Sequence, residues 1–402
     1  MVKGKKILLG VTGGVAAYKA AELLREFVRR GADVRVVMTK SACEFVTPLT
    51  FETLSGHPVS TNLFGIDEHA EIPHIALAAF ADLIVVAPAT ANIIGKAAAG
   101  IADDLLSTII VATTRSVLLC PSMNVNMYEN AIVQKNLAEL TAQGYLIMAP
   151  GYGKLACRTE GRGRLPDPVD IAEEVEYVLS EKDLRDEHIL VTAGPTQEPL
   201  DPVRFISNYS SGKMGYALAV AARRRGASVT LVSGPVSLSP PPGVEFVPVK
   251  TALQMRDAVL SRLENETVLI KAAAVADYRP AVCEELKIKK KEGEMTLRLE
   301  RNPDIISEIA RQKGSRIVVG FSMESDHLLE HARKKLFEKG MDFIVANDIT
   351  EVGAGFGVDT NIVRILDCEG GMEELPLLSK IEVADVILDR VKKRRERLTG
   401  EN

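Results

Sequence analysis

The sequence predicts an α/β protein built from two doubly wound domains, each with a mostly parallel sheet. Short β-rich apolar runs alternate with helix-period segments, which is how successive βαβ units read. The pattern restarts at Ile189 after a charged stretch from Glu181 to Glu187. A chain of 402 residues is also longer than one hydrophobic core comfortably fills. The expected domains are therefore residues 1–182 and 183–402.

In the first half the strands are Lys6 to Val11, Asp33 to Met38, Leu83 to Val86, Ser116 to Cys120 and Tyr145 to Met148, with a helix from Ala16 to Arg30. Pro73 and His74 open a helix before the third strand, which is fully apolar. Small polar loops follow the third and fourth strands, Pro88 to Asn92 (PATAN) and Pro121 to Met127 (PSMNVNM). Ligands of parallel α/β sheets sit at the carboxyl ends of strands, so these loops outline a pocket with His74 in reach. A helix from Asp170 to Ser180 leads to the second half. There the strands are Ile189 to Ala193, Ser228 to Val232, Val268 to Ala272, Ile317 to Phe321 and Phe343 to Ala346, with a helix from Met214 to Arg225. Ser233 to Val249, rich in proline, reads as a connector.

Composition excludes several classes. Hydrophobic content of 46% with 26% charged residues is ordinary for a soluble globular chain, and a net charge of -5 leaves no footprint for nucleic acid or anionic lipid. Five widely spaced cysteines without a CxxC pair argue against a disulfide framework or zinc site and fit a reducing cytoplasm. Asp82 interrupts the longest apolar run, so no membrane span is expected. Lys3, Lys5 and Lys6 before Ile7 imitate a signal peptide, but Gly10, Gly13 and Gly14 break the apolar run at once.

The glycine loops limit the choice of ligand. Gly10, Gly13 and Gly14 stand between the first strand and its helix, where backbone amides can receive a phosphate; a tight turn without ligand is the lesser alternative. A dinucleotide site wants an acid at the end of the second strand to hold a ribose. Here that strand ends Met38, Thr39, Lys40, Ser41, and its counterpart in the second half ends Val232, Ser233, Gly234. FMN is favoured over NAD, and an NAD oxidoreductase fails on both strand ends. Ser207 to Gly215 (SNYSSGKMG) crowds donors before a helix and reads either as an anion site or as a capping loop. Asp277, then Lys287 to Lys291, reads either as a solvated β-edge or as phosphate chemistry, with lysines neutralising charge and a carboxylate organising a magnesium ion.

Taken together, these motifs resemble the bifunctional coenzyme A biosynthesis flavoproteins, in which a phosphopantothenoylcysteine decarboxylase is fused to a phosphopantothenate-cysteine ligase. In the first half the resemblance rests on Gly13 to Ala17, His74 with Ile75, Pro88 to Asn92 and Pro121 to Met127. In the second it rests on Ala193 to Arg204, Ser207 to Gly215, Ala272 to Asp277, Lys287 to Lys290, Ala346 to Asp348 and Phe356 to Asn361. Two positions depart from the family pattern: Tyr128 stands where Trp is frequent, and Thr90 replaces the serine of PASAN. Both keep size class and hydrogen-bonding character.

The resemblance implies Rossmann-like domains, the first flavodoxin-like and flavin-binding. Gly13, Gly14, Val15, Thr39, Thr90, Ala91, Asn92, Ile93 and Ser122 would hold FMN. His74 would act as base or electrostatic partner, Asn124 would hold the substrate carboxylate, Met127 would close over it, and Cys157 would donate the proton that completes reduction of the enethiol. Gly151 to Arg158, around that cysteine, would be a mobile lid. In the ligase, Lys287 would stabilise charge during acyl-cytidylate formation and Asn208 would orient the intermediate. Asp277, Pro303, Asp304, Ile305, Ile306, Phe321, Lys335 and Lys339 would contact CTP, with Mg2+ carried by the triphosphate. The implied partners are 4′-phosphopantothenate, cysteine and CTP, in a large homo-oligomer of decarboxylase trimers and ligase dimers. The residues alone also admit plainer roles: a helix-capping His74, an incidental Cys157 thiol, and Asn92 and Asn124 satisfying loop backbone. Two rivals share part of the pattern. A peptidyl-cysteine decarboxylase has no use for the second domain, and His74 with Cys157 speaks against a phosphatase-inhibiting flavin subunit.

Overall fold

The computed structural model describes residues 2–64, 72–155, 159–289, 295–324, 328–348, 355 and 357–400. Cys157, Arg158, Lys290, Lys291 and Phe356 lie outside the described residues. The chain divides into two compact units, Met1–Ser180 and Glu181–Asn402.

In the first unit β1 (Lys6–Val11) is followed by α1 (Ala17–Arg29) and β2 (Asp33–Met38). Next come α2 (Lys40–Cys43), α3 (Pro48–Ser55), α4 (Pro73–Phe80) and β3 (Leu83–Ala89). Then α5 (Ala91–Ala99) and α6 (Leu105–Ala112) precede β4 (Val117–Pro121), and α7 (Val125–Tyr128) and α8 (Ala131–Ala142) precede β5 (Leu146–Ile147). A hairpin of β6 (Gly151–Lys154) and β7 (Glu160–Arg164) leads to α9 (Pro168–Leu179).

The sheet order is β2-β1-β3-β4-β5, parallel throughout. This is the flavodoxin-like order, whose strand direction of growth reverses between β1 and β3. Every residue of β3 is buried, because helices cover both faces of a parallel sheet. One core layer packs α1 and α9 against Ile7, Leu9 and Val85, and the opposite layer packs α5, α6 and α8 against Leu8, Ile84 and Val86. Helix α1 buries Ala17, Ala20, Leu23, Leu24 and Phe27, the single stripe its 3.6-residue period dictates.

The second unit opens with β8 (His188–Ala193), the short β9 (Gln197–Pro199) and β10 (Phe205–Ser207), α10 (Lys213–Arg224), β11 (Ser228–Ser233), β12 (Glu245–Pro248), α11 (Ala252–Leu260) and β13 (Val268–Lys271). It continues with β14 (Tyr278–Pro280), β15 (Leu299–Arg301), α12 (Ile305–Ala310), β16 (Ile317–Glu324), α13 (Leu328–Glu338) and β17 (Phe343–Asp348). Last come β18 (Thr360–Asn361), β19 (Val363–Asp367), β20 (Met372–Glu374), β21 (Leu378–Ser379) and α14 (Lys380–Thr399). The main sheet runs β12-β11-β8-β13-β16-β17-β19-β20, parallel from β12 to β17 and antiparallel at β19 and β20. Its order reverses between β8 and β13. Helices α10 and α14 cover one face, and α11, α12 and α13 cover the other.

Four local expectations change. Pro88 and Ala89 extend β3, and Ala91 and Asn92 form the first turn of α5, so the expected PATAN loop shrinks to the cap at Thr90. Residues Val125–Tyr128 of the next loop coil into one turn because the Asn124 side chain accepts the Asn126 N–H. Residues 151–154 are not loop but one side of a hairpin, zipped to Glu160–Arg164. The end of the proline-rich connector, Glu245–Pro248, pairs with β11 as an edge strand, where a terminal proline removes no needed donor.

Candidate active sites

Each unit has a cavity at the carboxyl edge of its sheet. The first, about 660 Å³, lies at the reversal point between β1 and β3. Three loops and the hairpin build it. Gly13, Gly14 and Val15 come from the β1–α1 connection, Tyr18 and Lys19 from the first turn of α1, Thr90 and Ala91 from the end of β3, and Ser122, Met123, Asn124 and Met127 from the end of β4. Lys154, Leu155, Arg164 and Leu165 are contributed by the hairpin and its flanks.

The loops are held in place by contacts that leave little freedom. The buried Thr12 hydroxyl donates to the Pro88 carbonyl at 2.7 Å and accepts the Thr90 N–H at 3.2 Å, tying the first loop to the second. Gly13 presses on the next turn so closely that a Cβ there would lie 2.4 Å from the Ser41 Cβ. At Gly163 (φ +150°) a Cβ would overlap the Met123 carbonyl, and the Met123 N–H donates to the Gly163 carbonyl at 3.0 Å, so the hairpin docks on the PSMN loop only through glycine.

Of the sequence-predicted residues, Gly13, Gly14, Val15, Thr90, Ala91, Ser122, Asn124 and Met127 line this cavity together. His74, Thr39, Asn92 and Ile93 are not among its lining. Thr39 caps α2 by accepting the Ala42 N–H, Asn92 is exposed on the first turn of α5, and Ile93 is buried in the core. His74 is the second residue of α4, the helix that enters β3, and its Nδ1 is buried without a hydrogen-bond partner among the described residues. The sequence did not single out Thr12, Lys19, Lys154 and Arg164. Lys154 fell within the Gly151 to Arg158 stretch read as a lid, and the alternating glycines of EGRGR that mark its partner strand were not read.

Such a cavity suits a flat, partly charged group. Backbone amides at two helix starts face it, its walls carry Val15, Met127, Leu155 and Leu165, and cations stand at Lys19, Lys154 and Arg164. A flavin mononucleotide fits this set of donors.

The second cavity, about 210 Å³, is lined by Ser210–Gly215, Lys271–Val275, Phe321, Ser322, Met323, Asn347, Gly355, Asn361 and Lys380. Gly212, with φ +78°, caps α10 in the left-handed region. Lys213 pairs with Asp359 at 2.7 Å, and Lys380 donates to the Gly355 and Val358 carbonyls. Burial, then the charge of Lys213, pulls the Lys380 ammonium below the ordinary lysine range. Asn347 is buried, and its Oδ1 accepts no hydrogen bond among the described residues.

Phe321 lines the cavity as expected, and Asn208 sits at its margin, donating to the Ala274 carbonyl at 3.0 Å. Lys335 reaches Ser322 at 3.5 Å, and Lys339 pairs with Asp304 at 2.9 Å, which caps α12. Pro303 precedes that cap, while the side chains of Ile305 and Ile306 belong to the core. The backbone carbonyl of exposed Asp277 accepts the Asn302 N–H at 2.8 Å. Lys287 is exposed and outside the cavity lining. Its neighbour Ile288 donates to buried Asp201 at 3.0 Å. Lys271 and Lys380 were not singled out in the sequence, and Asn347 only as part of the Ala346 to Asp348 motif; Lys271 is a lone polar residue at the end of an apolar strand, and Lys380 opens a helix rich in charge.

Comparison with known proteins decides the family. The flavoprotein family matches residues 1–180, and the DNA/pantothenate metabolism flavoprotein C-terminal domain matches residues 184–394. The coenzyme A biosynthesis bifunctional protein CoaBC of Bacillus subtilis (strain 168) is 49% identical over 395 residues, covering 97% of each chain. The chain belongs to this bifunctional family. The Escherichia coli (strain K12) member is 47% identical over 393 residues, 96% of this chain and 97% of its own. A crystal structure of the C-terminal domain of a CoaBC protein is 42% identical, covers 54% of this chain and 100% of that one, and superposes with a TM-score of 0.48. No described helix is long and apolar enough to cross a membrane.

Proposed function

We propose that the chain catalyses two consecutive steps of coenzyme A biosynthesis. The second unit joins cysteine to 4′-phosphopantothenate at the expense of CTP, and the first unit converts the 4′-phosphopantothenoylcysteine product to 4′-phosphopantetheine with FMN. The observation that carries this is that family membership runs through both units, each with its own cavity at a sheet's carboxyl edge.

In the decarboxylase, bound FMN supplies a reversible acceptor for the electron pair of the thiol-bearing carbon, which makes loss of the neighbouring carboxylate feasible. Gly13, Gly14 and Val15 with Thr90, Ala91 and Ser122 hold the cofactor. Asn124 orients the substrate carboxylate, and Met127, half exposed at the rim, covers it and excludes water. His74 acts through its unpartnered Nδ1, holding or exchanging a proton beside the substrate. Cys157 returns a proton to the decarboxylated product.

In the ligase, a carboxylate oxygen of 4′-phosphopantothenate attacks the α-phosphorus of CTP; the bond to the bridging oxygen breaks and pyrophosphate leaves with its electrons. Cysteine's amine then displaces CMP. Lys287 offsets the developing charge, Asn208 orients the acyl-cytidylate, and Asp277, Pro303 to Ile306, Phe321, Lys335 and Lys339 bind the nucleotide. Mg2+ enters with the triphosphate. The working particle is a cytoplasmic homo-oligomer of decarboxylase trimers and ligase dimers.

The decarboxylase half is tested by acid release of the bound flavin and by supplying ready-made 4′-phosphopantothenoylcysteine. FMN and 4′-phosphopantetheine are expected; a colourless protein that leaves the substrate intact would overturn this half.

A further inference from the structure

Lys271 ends β13 at the reversal edge of the second sheet and lines the ligase cavity. Strand alternation fixes its side. Leu269, two residues earlier, packs with Ile305, Ile306 and Leu336, so Lys271 projects to the face covered by α12 and α13. Lys335 of α13, Lys339 just past its end, Asp304 at the cap of α12 and Asp277 on the following loop are the charges around it. Asp304 is already neutralised by Lys339 at 2.9 Å. The Lys271 ammonium is half-buried and has no hydrogen bond or ion pair among the described residues. Burial, then the charge of Lys339, lowers its proton affinity, in keeping with a cation that has no ion-pair partner among the described residues. An unpaired ammonium withdrawn from water is costly, and nothing in the core packing calls for one, since Leu269 and Ile270 of the same strand are apolar.

We propose that Lys271 is a further phosphate contact of the ligase, its ammonium engaging the β- and γ-phosphates of the bound nucleotide. This rests on the CTP-dependent ligation described above. When the carboxylate oxygen bonds to the α-phosphorus and the bond to the bridging oxygen breaks, the departing pyrophosphate gains negative charge. Lys271 meets that charge on the face where Lys335 and Lys339 stand, opposite the α10 side occupied by Ser210–Gly215.

The test uses the full chain with Mg2+, 4′-phosphopantothenate and cysteine. In Lys271→Met the KM for CTP should rise roughly tenfold to a hundredfold, as for a lost charge-assisted contact. CMP, which lacks the outer phosphates, should bind both proteins equally, and the KM for 4′-phosphopantothenate should hold. Lys271→Arg should restore most of the CTP affinity, which a packing defect would not allow. Decarboxylation of ready-made substrate in the first unit reports that the variant chain is intact. An unchanged KM for CTP, or weakened CMP binding to the same degree, would overturn the proposal. A wild-type protein that does not ligate with CTP would remove the underlying reading first.

Discussion

At the scale of single residues, the proposed decarboxylation turns on His74. Its ring is carried on the helix that enters β3, and a buried Nδ1 without a partner among the described residues is costly unless a ligand completes it. His74→Asn keeps a polar side chain of similar reach but removes the titratable nitrogen. Decarboxylation of 4′-phosphopantothenoylcysteine is expected to fall by about a hundredfold or more, with ligation unchanged. Normal carbon dioxide release from that variant would reduce His74 to a helix cap. The candidate site was legible wherever small residues and amides clustered at strand ends, and that is why Gly13, Thr90, Ser122, Asn124 and Met127 were found together, whereas His74 does not join them in the cavity lining. Thr12 and Lys271 escaped because each is a single polar residue closing an apolar run, and only the register of neighbouring strands reveals what it faces.

At the scale of elements, the central parallel strands were readable because burial on both faces turns them into continuous apolar runs, as in β3 and β13. The three-residue strands β9, β10, β14 and β15 were not readable; they are too short to show a period and are defined by their partners. Nor was the antiparallel end of the second sheet, β19 and β20. The turn between β9 and β10 bears on the role proposed for Lys287. Asp201 accepts the N–H groups of Val203 and Arg204 and the Arg204 Nε at 3.0 Å, and it takes the Ile288 N–H as well. Arg204 first, and then these amides, hold its carboxyl well below the usual carboxylate range. The tie anchors the segment bearing Lys287. Asp201→Asn replaces one acceptor oxygen by a donor, so ligation should fall several-fold while decarboxylation persists. A lowered melting temperature with full ligation would show that the tie serves stability alone.

At the scale of the whole molecule, two sheets with reversal points at β1/β3 and β8/β13 give two independent edges where ligands collect. The division into two such sheets was legible in the restart at Ile189. Which chemistry occupies each edge was not, and came from motif content: glycine and amide loops without a ribose-binding acid in one half, hydroxyl-rich and lysine-rich loops in the other. One chain that carries both edges can hand the product of one step to the other without a second gene product. The direct measurement is a single incubation of purified protein with 4′-phosphopantothenate, cysteine, CTP and Mg2+, with product masses followed over time. The expected result is 4′-phosphopantetheine together with CMP and pyrophosphate; accumulation that stops at 4′-phosphopantothenoylcysteine, or no product at all, would contradict a two-step enzyme.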